Sequence, residues 1–541
     1  MNSRAPILKI HPKDNVVVAL DNLKKGYTIQ LENVSFDLVD PIPLKHKFAL
    51  VEFQPSDPIY MYGVLVGEAL VTIPQGGVLT TENVKHKIQK VEGKTAPWEW
   101  TAPDTTKWEK RTFMGYPRPD GQVGTENIWL FFPLVFCENR NIEKLKVIFE
   151  KEFNPPEKEP LQQLLSQLVQ GNTERNSPIE KVAHKANPYD NIKVRFLTHQ
   201  GGCGGTRQDA QSLARLLAGY VNNPNVAGAT VLSLGCQNLE ISVFKEALSD
   251  LQKGNEKPVL IFDQQTEGTV DAFLSKIISQ SFEEIQKANE IKRTPSPLSK
   301  LTIGLECGGS DGFSGITANP TLGQVSDILS ALGGKTILAE FPELAGVEQE
   351  LVNRCTSDAL AQKFLSLMKQ YENAAEKVGS GFDMNPSPGN IKDGLITDAM
   401  KSAGAAKKSG NAPIREVLDY TEYANTDGVS LLCTPGNDVE STTALAGSGA
   451  NIILFTTGLG TPTGNPITPV IKVSSNCILT QKMNDIIDFD CGTIITEKRS
   501  LEEVGEDLLE YIIAVASGDE IPKAVQLKQH DFIPWKRGVS L

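Results

Sequence analysis

The sequence predicts an α/β protein in which a small N-terminal β domain precedes a large C-terminal α/β domain built on a mostly parallel sheet. Three observations predict it. Residues 1–92 carry short β-branched runs broken by Gly, Pro and Asp, and from Ile192 apolar strand-like runs alternate with amphipathic helical ones. The length, 541 residues, exceeds what one ordinary core holds, so more than one domain is expected.

In chain order, NVVVAL, KFALVEF, IYMYGVLVGEALVTI and GVLTTENV read as strands of the first domain. Residues 93–155 form a connector: a Trp-rich polar stretch (APWEWTAPDTTKWEKR), then the turn cluster GYPRPDG and the apolar strand IWLFFPLVF. That strand is either core or an edge that pairs with a second copy of the chain to give a homodimer. Pro155 to Asn191 is polar and broken, and reads as a boundary with one short helix. The α/β domain spans 156–541. VRFLTH is a buried-type strand, a Gly loop follows, and RQDAQSLARLLAGYV places Leu213, Leu216, Leu217 and Tyr220 at helical spacing. TVLSLG, PVLIFD, LTIGLE, TILAEF, VSLLCT and NIILFTT continue the strand series, with helical stretches between them. SLEEVGEDLLEYIIAVASG is an amphipathic helix and HDFIPWKRGVSL a tail. No repeats interrupt the pattern.

Hydrophobic residues make up 40% and charged residues 22%, an ordinary globular balance. A net charge of −13 does not suit nucleic-acid binding, which draws on Lys and Arg against phosphates. No run approaches the ~18 apolar residues of a membrane helix, and the N-terminus lacks a signal-peptide apolar core. A cytoplasmic protein with no membrane partner is therefore expected. Its eight cysteines need a reading suited to a reducing compartment.

Ligands of open α/β sheets bind beyond the carboxyl ends of the strands. The loops there are THQGGCGGTR, LGCQNLE, LECGGSDGFSGITANP, CTPGND and TTGLGTPTGN, all rich in Gly. Cys203, Cys236 and Cys307 each follow a strand, and three such thiols converging in one cleft would suit iron or an iron–sulfur cluster. For each alone, a small buried apolar residue is the competing reading. No CxxC, GxGxxG or GxxxxGK[ST] spacing is present, which weighs against a local metal motif or a nucleotide cradle. His199, four residues before Cys203, leaves a Cys–His nucleophile open. Histidine is scarce, at six residues. His46 lies between Lys45 and Lys47 just before a strand, either as a loop residue or as a base beside a basic pair that attracts a carboxylate. Glu82 and Asn83 form the other polar cluster of the first domain.

Together these segments resemble the altronate/galactarate dehydratase family over nearly the whole chain. The residues that carry the likeness are PIPLKHKFAL, YGVLVGEAL and TTENV, then GYPRPDGQVGTENIW. They continue through THQGGCGGTR, LGCQNLE, ECGGSDGFSGITANP, GNIKDGLIT, TPGNDVEST, TGLGTPTGNPITPVIKVSSN and FIPWKRGVSL. The resemblance implies a SAF-type N-terminal β domain and a larger α/β domain. One departure stands out: where many members have a short run with two histidines, this chain reads Leu79-Thr80-Thr81-Glu82-Asn83. The role of those histidines does not carry over, and Glu82 is expected to offer a carboxylate instead.

The reaction so implied is loss of water from a 2,3-dihydroxy sugar acid, giving a 2-keto-3-deoxy acid. The expected substrate is altronate, giving 2-keto-3-deoxygluconate in hexuronate catabolism. Galactarate or another 2-hydroxy acid is the alternative within the family, and a non-catalytic binding protein the alternative outside it. The α-proton of a carboxylate is weakly acidic, so the enediolate needs electrostatic stabilisation, a general base and a general acid. Family members use ferrous iron, which is the expected cofactor. A three-cysteine iron–sulfur cluster and Mn2+ are the alternatives. His46 or His199 is expected as base with Glu82 beside it, and Cys203, Cys236 and Cys307 near iron. Ser310, Asp311, Ser314 and Asn319 are expected on the polyol hydroxyls, and Lys472 or Arg207 on the carboxylate.

Overall fold

The computed structural model describes residues 6–31, 34–153, 160–169, 189–252 and 257–541. Of the boundary stretch 155–191, only the helix Pro160–Val169 and residues 189–191 lie inside the described residues.

The N-terminal β domain is made of short antiparallel pairings: Ile7–Leu8 and Lys47–Ala49 flank Val16–Ala19, Thr28–Leu31 pairs Val34–Asp37, and Val64–Ala69 lies between Pro58–Met61 and Val84–Lys85. The NVVVAL strand shows why it is apolar throughout. Val17 and Ala19 point into the domain's own small core with Ile29 and Phe48, while Val16 and Val18 join the main core of the large domain. Side chains alternate with period two, so a strand sandwiched between two cores needs apolar residues at every position.

The Trp-rich connector is pinned along the large domain. Trp98 Nε1 donates to the Asn411 carbonyl at 2.7 Å, and Trp108 is buried. Thr112–Pro117 then pairs antiparallel with Val123–Gly124 and Thr294–Pro297.

The α/β part contains two parallel sheets rather than one. The first holds β1 (Ile128–Pro133), β2 (Lys193–Phe196), β3 (Val226–Ser233) and β4 (Val259–Asp263) in the order β2-β1-β3-β4. The apolar strand of the connector is therefore an inner, fully buried strand of this sheet and not an edge. The second holds β5 (Thr302–Cys307), β6 (Lys335–Leu338), β7 (Ile414–Leu418), β8 (Gly428–Leu432), β9 (Ile452–Thr457), β10 (Val470–Ser474) and β11 (Phe489–Asp490). Its order is β7-β8-β6-β5-β9-β10-β11, parallel throughout. Every residue of β5, β8, β9 and β10 is buried, as expected of strands covered on both faces.

Helices fall where the sequence places them. The helix α1 (Arg207–Asn222) starts at Thr206, whose side chain accepts from Asp209 N, and α2 (Leu501–Ser517) starts with a Ser500/Glu503 capping box. The tail ties the two sheets together: Trp535 N donates to Tyr420 Oη at 2.7 Å and Leu541 N to the Gly204 carbonyl at 2.8 Å. Among the described residues no helix is long and apolar enough to cross a membrane.

Candidate active site

In the seven-stranded sheet the chain leaves β5 towards β6 on one side and leaves β9 towards β10 on the other. Loops that diverge from adjacent strands open a crevice beyond their carboxyl ends. The two loops are stitched at its floor: Gly308 N donates to the Thr456 carbonyl at 3.0 Å and Gly458 N to the Gly309 carbonyl at 2.9 Å.

Cys307 ends β5 and is 2% exposed. Its backbone N donates to Glu340 Oε2 at 3.0 Å, and its Sγ lies 3.4 Å from that oxygen and 3.2 Å from Glu343 Oε2. Glu340 follows β6 with φ 66°, in the left-handed region. Such a conformation costs a non-glycine residue about 1–3 kcal/mol and tends to persist where function requires it. Here it turns the carboxylate back over Cys307, and the 3₁₀ turn Phe341–Leu344 brings Glu343 alongside. Two lysines from the segment Asp398–Ser409 compensate the acids. Lys408 Nζ lies 2.9 Å from Cys307 Sγ and 2.5 Å from Glu340 Oε2, and neither the Lys408 nor the Glu340 side chain has any exposure. Lys401 Nζ lies 2.6 Å from Glu343 Oε1 and 3.0 Å from Asn385 Oδ1.

The cluster carries unmatched polarity. Ser441 Oγ donates to Glu306 Oε2 at 2.6 Å, yet Glu306 Oε1, Glu340 Oε1 and Lys472 Nζ are buried with no hydrogen-bond partner. Buried orphans of this kind are costly; Glu340 Oε1 lies in the Cys307 cluster, whereas Glu306 and Lys472 share a cross-strand row on the face where Ser441 packs. Burial, then Glu340 and Glu343, push the Cys307 thiol well up; burial and Glu340 do the same to Glu306. Burial opposes ionisation of Glu343, but Lys401 and Lys408 prevail and hold it below the usual range.

One donor atom each from Cys307, Glu340 and Glu343 lies within 4.8 Å of the others. A thiol and two carboxylates suit a borderline divalent ion such as ferrous iron, and a cation there would ionise the thiol and match the orphaned Glu340 oxygen. The residues present fit the implied ion.

The N-terminal domain reaches this crevice through one turn. Lys45 Nζ lies 2.8 Å from Asp311 Oδ2 and 3.3 Å from Asp393 Oδ1; His46 Nε2 donates to the Lys392 carbonyl at 3.2 Å; Lys47 Nζ donates to the Gly394 carbonyl at 2.6 Å. Gly394, at φ 91°, has no side chain to keep the Lys45 carbonyl away. His46 is half-buried, and burial lowers its pKa so that the neutral ring predominates.

Several expected site residues sit here in other roles. Asp311 accepts from Ser314 Oγ at 2.9 Å, Ser475 Oγ at 2.8 Å and Asn476 Nδ2 at 3.0 Å, besides Lys45. Asn319 accepts from Thr456 Oγ1 at 2.7 Å and donates to the Gly404 carbonyl at 3.0 Å. Asp311, Ser314 and Asn319, expected on the polyol hydroxyls, brace the loop through these hydrogen bonds. Ser310 is buried beside them, its carbonyl accepting from Asn390 Nδ2 at 2.7 Å.

The expectation that Cys203, Cys236 and Cys307 converge is corrected. Cys203 and Cys236 lie exposed in loops of the four-stranded sheet, and among the described residues the donor group contains Cys307 and no other thiol. Periodicity could not show that these strands belong to two sheets. His199 stands with the first sheet too. It is 4% exposed, its Nε2 donates to the Pro133 carbonyl at 2.7 Å, its Nδ1 accepts from Gly201 N at 3.1 Å, and burial pushes its pKa down to about 4. With both nitrogens engaged it staples a loop and is not free to act as a base. Arg207 is exposed at the start of α1, and Glu82 is exposed on a turn where its backbone N donates to Thr80 Oγ1 at 3.3 Å. A cavity of about 650 Å³ opens beside His199 and Cys203, walled by glycine backbone, Tyr420, Phe532 and Trp535. Among its polar side chains Asn139, Asn238 and Asp209 are hydrogen-bonded within the fold, and burial raises the carboxyl of Glu440, which also lines it.

The sequence reading passed over Glu340, Glu343, Lys401 and Lys408. The signal available was TILAEFPEL, two acids three apart immediately after a strand, at the very place where ligands of such sheets bind.

Comparison with known proteins completes the picture. Three family models match in series: residues 5–87 match the altronate/galactarate dehydratase SAF domain, 115–289 the D-galactarate dehydratase/altronate hydrolase second domain, and 298–540 the D-galactarate/altronate dehydratase C-terminal domain. The chain is 35% identical over 537 residues to the altronate dehydratase of Bacillus subtilis (strain 168), covering 99% of each chain. It is 32% identical over 514 residues to the altronate dehydratase of Escherichia coli (strain K12), covering 95% of each. To the galactarate dehydratase (L-threo-forming) of the same E. coli strain it is 30% identical over 516 residues, covering 94% of this chain and 92% of the relative.

Proposed function

The chain belongs to the altronate/galactarate dehydratase family, and on that footing we propose that it is a metal-dependent sugar-acid dehydratase acting on altronate. The observation that carries the reading is the buried Cys307 thiol held against the Glu340 and Glu343 carboxyls, with Glu340 Oε1 left without a partner. A fold gains nothing in stability from such an arrangement unless something charged and polar completes it.

Cys307, Glu340 and Glu343 would hold a single ferrous ion, with Mn2+ as its nearest substitute. One thiol among three donors favours a lone ion over an iron–sulfur cluster, which takes most of its ligands from cysteine. When bound, the ion supplies Lewis-acid stabilisation of the charge that develops on the substrate's carboxylate. The protein supplies the rest. Lys401 and Lys408 hold Glu343 ionised, and Lys408 offsets part of the burial that raises the Glu340 carboxyl. Lys45, carried in by the N-terminal domain, locks the Asp311 loop at the crevice. The stitched loops exclude water, so that each of these charges acts in a low-dielectric site.

Altronate is preferred to galactarate because the two relatives with higher identity, 35% and 32% against 30%, bear that name. The test is 2-keto-acid formation by anaerobic, ferrous-loaded protein offered altronate, galactarate and related acids. Altronate is expected to turn over fastest, without the broad absorption near ~400 nm that a cluster would give. A loaded protein that leaves every acid untouched would overturn the reading.

A further inference from the structure

The mechanism needs a proton acceptor for C2 and a donor for the hydroxyl leaving C3, and neither has yet been assigned. His199 has both ring nitrogens hydrogen-bonded, which leaves the buried ionisable groups of the crevice that hold no ligand position.

Strand register places Glu306, Phe455 and Lys472 in one cross-strand row, on β5, β9 and β10. The helix α3 (Asp438–Gly447) covers this face, since its Ser441 bonds Glu306. At the mouth of the row stands Gly308, directly after Cys307. A Cβ there would collide with Asp438 Oδ2 and with Phe455 Cζ, so the carboxyl of Asp438 and the ring of Phe455 both close on the backbone of the candidate centre. Lys472 Nζ sits 3.5 Å from the centroid of that same ring, fully buried and with no hydrogen-bond acceptor. An ammonium held only by a π face is poorly solvated, whereas a neutral amine in that place keeps its lone pair available.

We propose that Lys472 and Asp438 form the proton-transfer couple of the dehydration, Lys472 as base and Asp438 as acid. This deepens the dehydratase reading and rests on it. The Lys472 amine takes the C2 proton as the C2–H electron pair moves into the enediolate. That pair then forms the C2–C3 double bond, the C3–O bond breaks, and the departing oxygen takes the Asp438 proton and leaves as water. Lys472 then returns its extra proton to Asp438. The enol exchanges its hydroxyl proton for one at C3 through solvent, and the products are the keto acid and one water. Because dehydration neither consumes nor releases a proton, a pair that shares one resets itself within each turnover.

The electrostatics agree. Burial pushes Lys472 down to about 7, against the pull of Asp438, Asp488, Glu306 and Asp531, so that its amine is available as a base near neutrality, where proton transfer is most effective.

The experiment is C2 exchange in deuterium oxide, followed alongside keto-acid formation, for wild type, Lys472→Met, Lys472→Arg, Asp438→Asn and His46→Gln. Ferrous titration of each variant, without substrate, checks that it is folded and that the centre is intact. Lys472→Met and Lys472→Arg should each bind iron and lose at least ~100-fold in both exchange and turnover. Rescue by Arg would show that charge alone is needed and overturn the base role. Asp438→Asn should still exchange C2 but form keto acid at least ~100-fold more slowly. It serves as the independent arm if the lysine variants fail to fold, and equal loss of exchange and turnover in it would also overturn the couple. His46→Gln should keep its exchange; loss there with Lys472→Met unaffected would move the base to His46. In selectively 13C-labelled protein, one lysine signal titrating near neutrality should vanish in Lys472→Met; its absence from wild type counts against the couple. Wild type inert towards every sugar acid would overturn the dehydratase reading itself, whereas an active wild type with an active Lys472→Met would sink only this inference.

Discussion

The two parallel sheets end in loops that look alike in the sequence and differ in almost every physical respect. Both carry glycine clusters and a cysteine directly after a strand: HQGGCGG and LGCQN in the four-stranded sheet, ECGGSDG in the seven-stranded one. At the first sheet the thiols of Cys203 and Cys236 are exposed, His199 has both nitrogens bonded, and the Asn and Asp side chains of the cavity are satisfied. At the second, Cys307 is buried among acids and lysines with three polar atoms unmatched. Glycine and cysteine after a strand mark where a loop bends. Unmatched charge in the dark marks where chemistry is done, and only the fold reveals it.

The sharpest way to break this comparison is to treat the thiols alike. Cys307→Ala should lose ferrous binding and cut turnover by well over the ~10–100-fold that loss of an outer partner costs a metal site. Cys203→Ala and Cys236→Ala, each removing an exposed thiol, should keep their iron and stay within about twofold of wild type. Metal content by elemental analysis, with initial rates, decides. If Cys203→Ala loses iron as Cys307→Ala does, the two sheets share one centre and the contrast fails.

A second contrast lies in pH. His199 is neutral in the fold, with its pKa lowered from 6.5 to about 4 by burial. The unfolded chain binds a proton there below 6.5 while the native chain does not until about 4, so stability falls as pH drops through that window. The full effect is on the order of 3 kcal/mol, at about 1.4 kcal/mol per unit. His199→Gln, which keeps a polar side chain without a titrating one, should flatten this part of the curve measured by urea unfolding between pH 7 and 4. An unchanged slope would mean that His199 does not staple its loop as a neutral ring. The prediction concerns the scaffold; iron binding at pH 7 should be unaltered.

Order and type of elements were legible because they depend on local pattern. The run TIGLEC is apolar where a strand is covered on both faces, and RQDAQSLARLLAGYV repeats at helical spacing. The grouping of strands into two sheets was not legible, since it depends on contacts such as β1 between β2 and β3, from residues over 60 positions apart. For the same reason Cys307 was found but assigned the wrong companions. Glu340 and Glu343 read as two ordinary acids until the left-handed turn at Glu340 folded them over a thiol. Lys472 was singled out, but its isolation over Phe455 required the register of β9 and β10.

The smallest expected effect concerns the two charged residues that pattern alone promoted to the site. Arg207 leads α1 from an exposed position, and a cation at a helix N-terminus is mildly unfavourable to the helix dipole. Arg207→Ala should therefore leave stability within ~0.5 kcal/mol or raise it slightly, with no change in KM for the sugar acid. Glu82 is exposed on a turn held by Thr80 and Asn83 through backbone contacts that any residue at 82 would make. Glu82→Ala should be equally silent in ferrous affinity and in turnover. The two substitutions probe different surfaces, so they also test whether the N-terminal domain contributes only its Lys45–Lys47 turn. A tenfold loss of iron binding in Glu82→Ala, about 1.4 kcal/mol, would bring the Leu79–Asn83 turn back to the centre and require the N-terminal domain to close further over Cys307 than it does here.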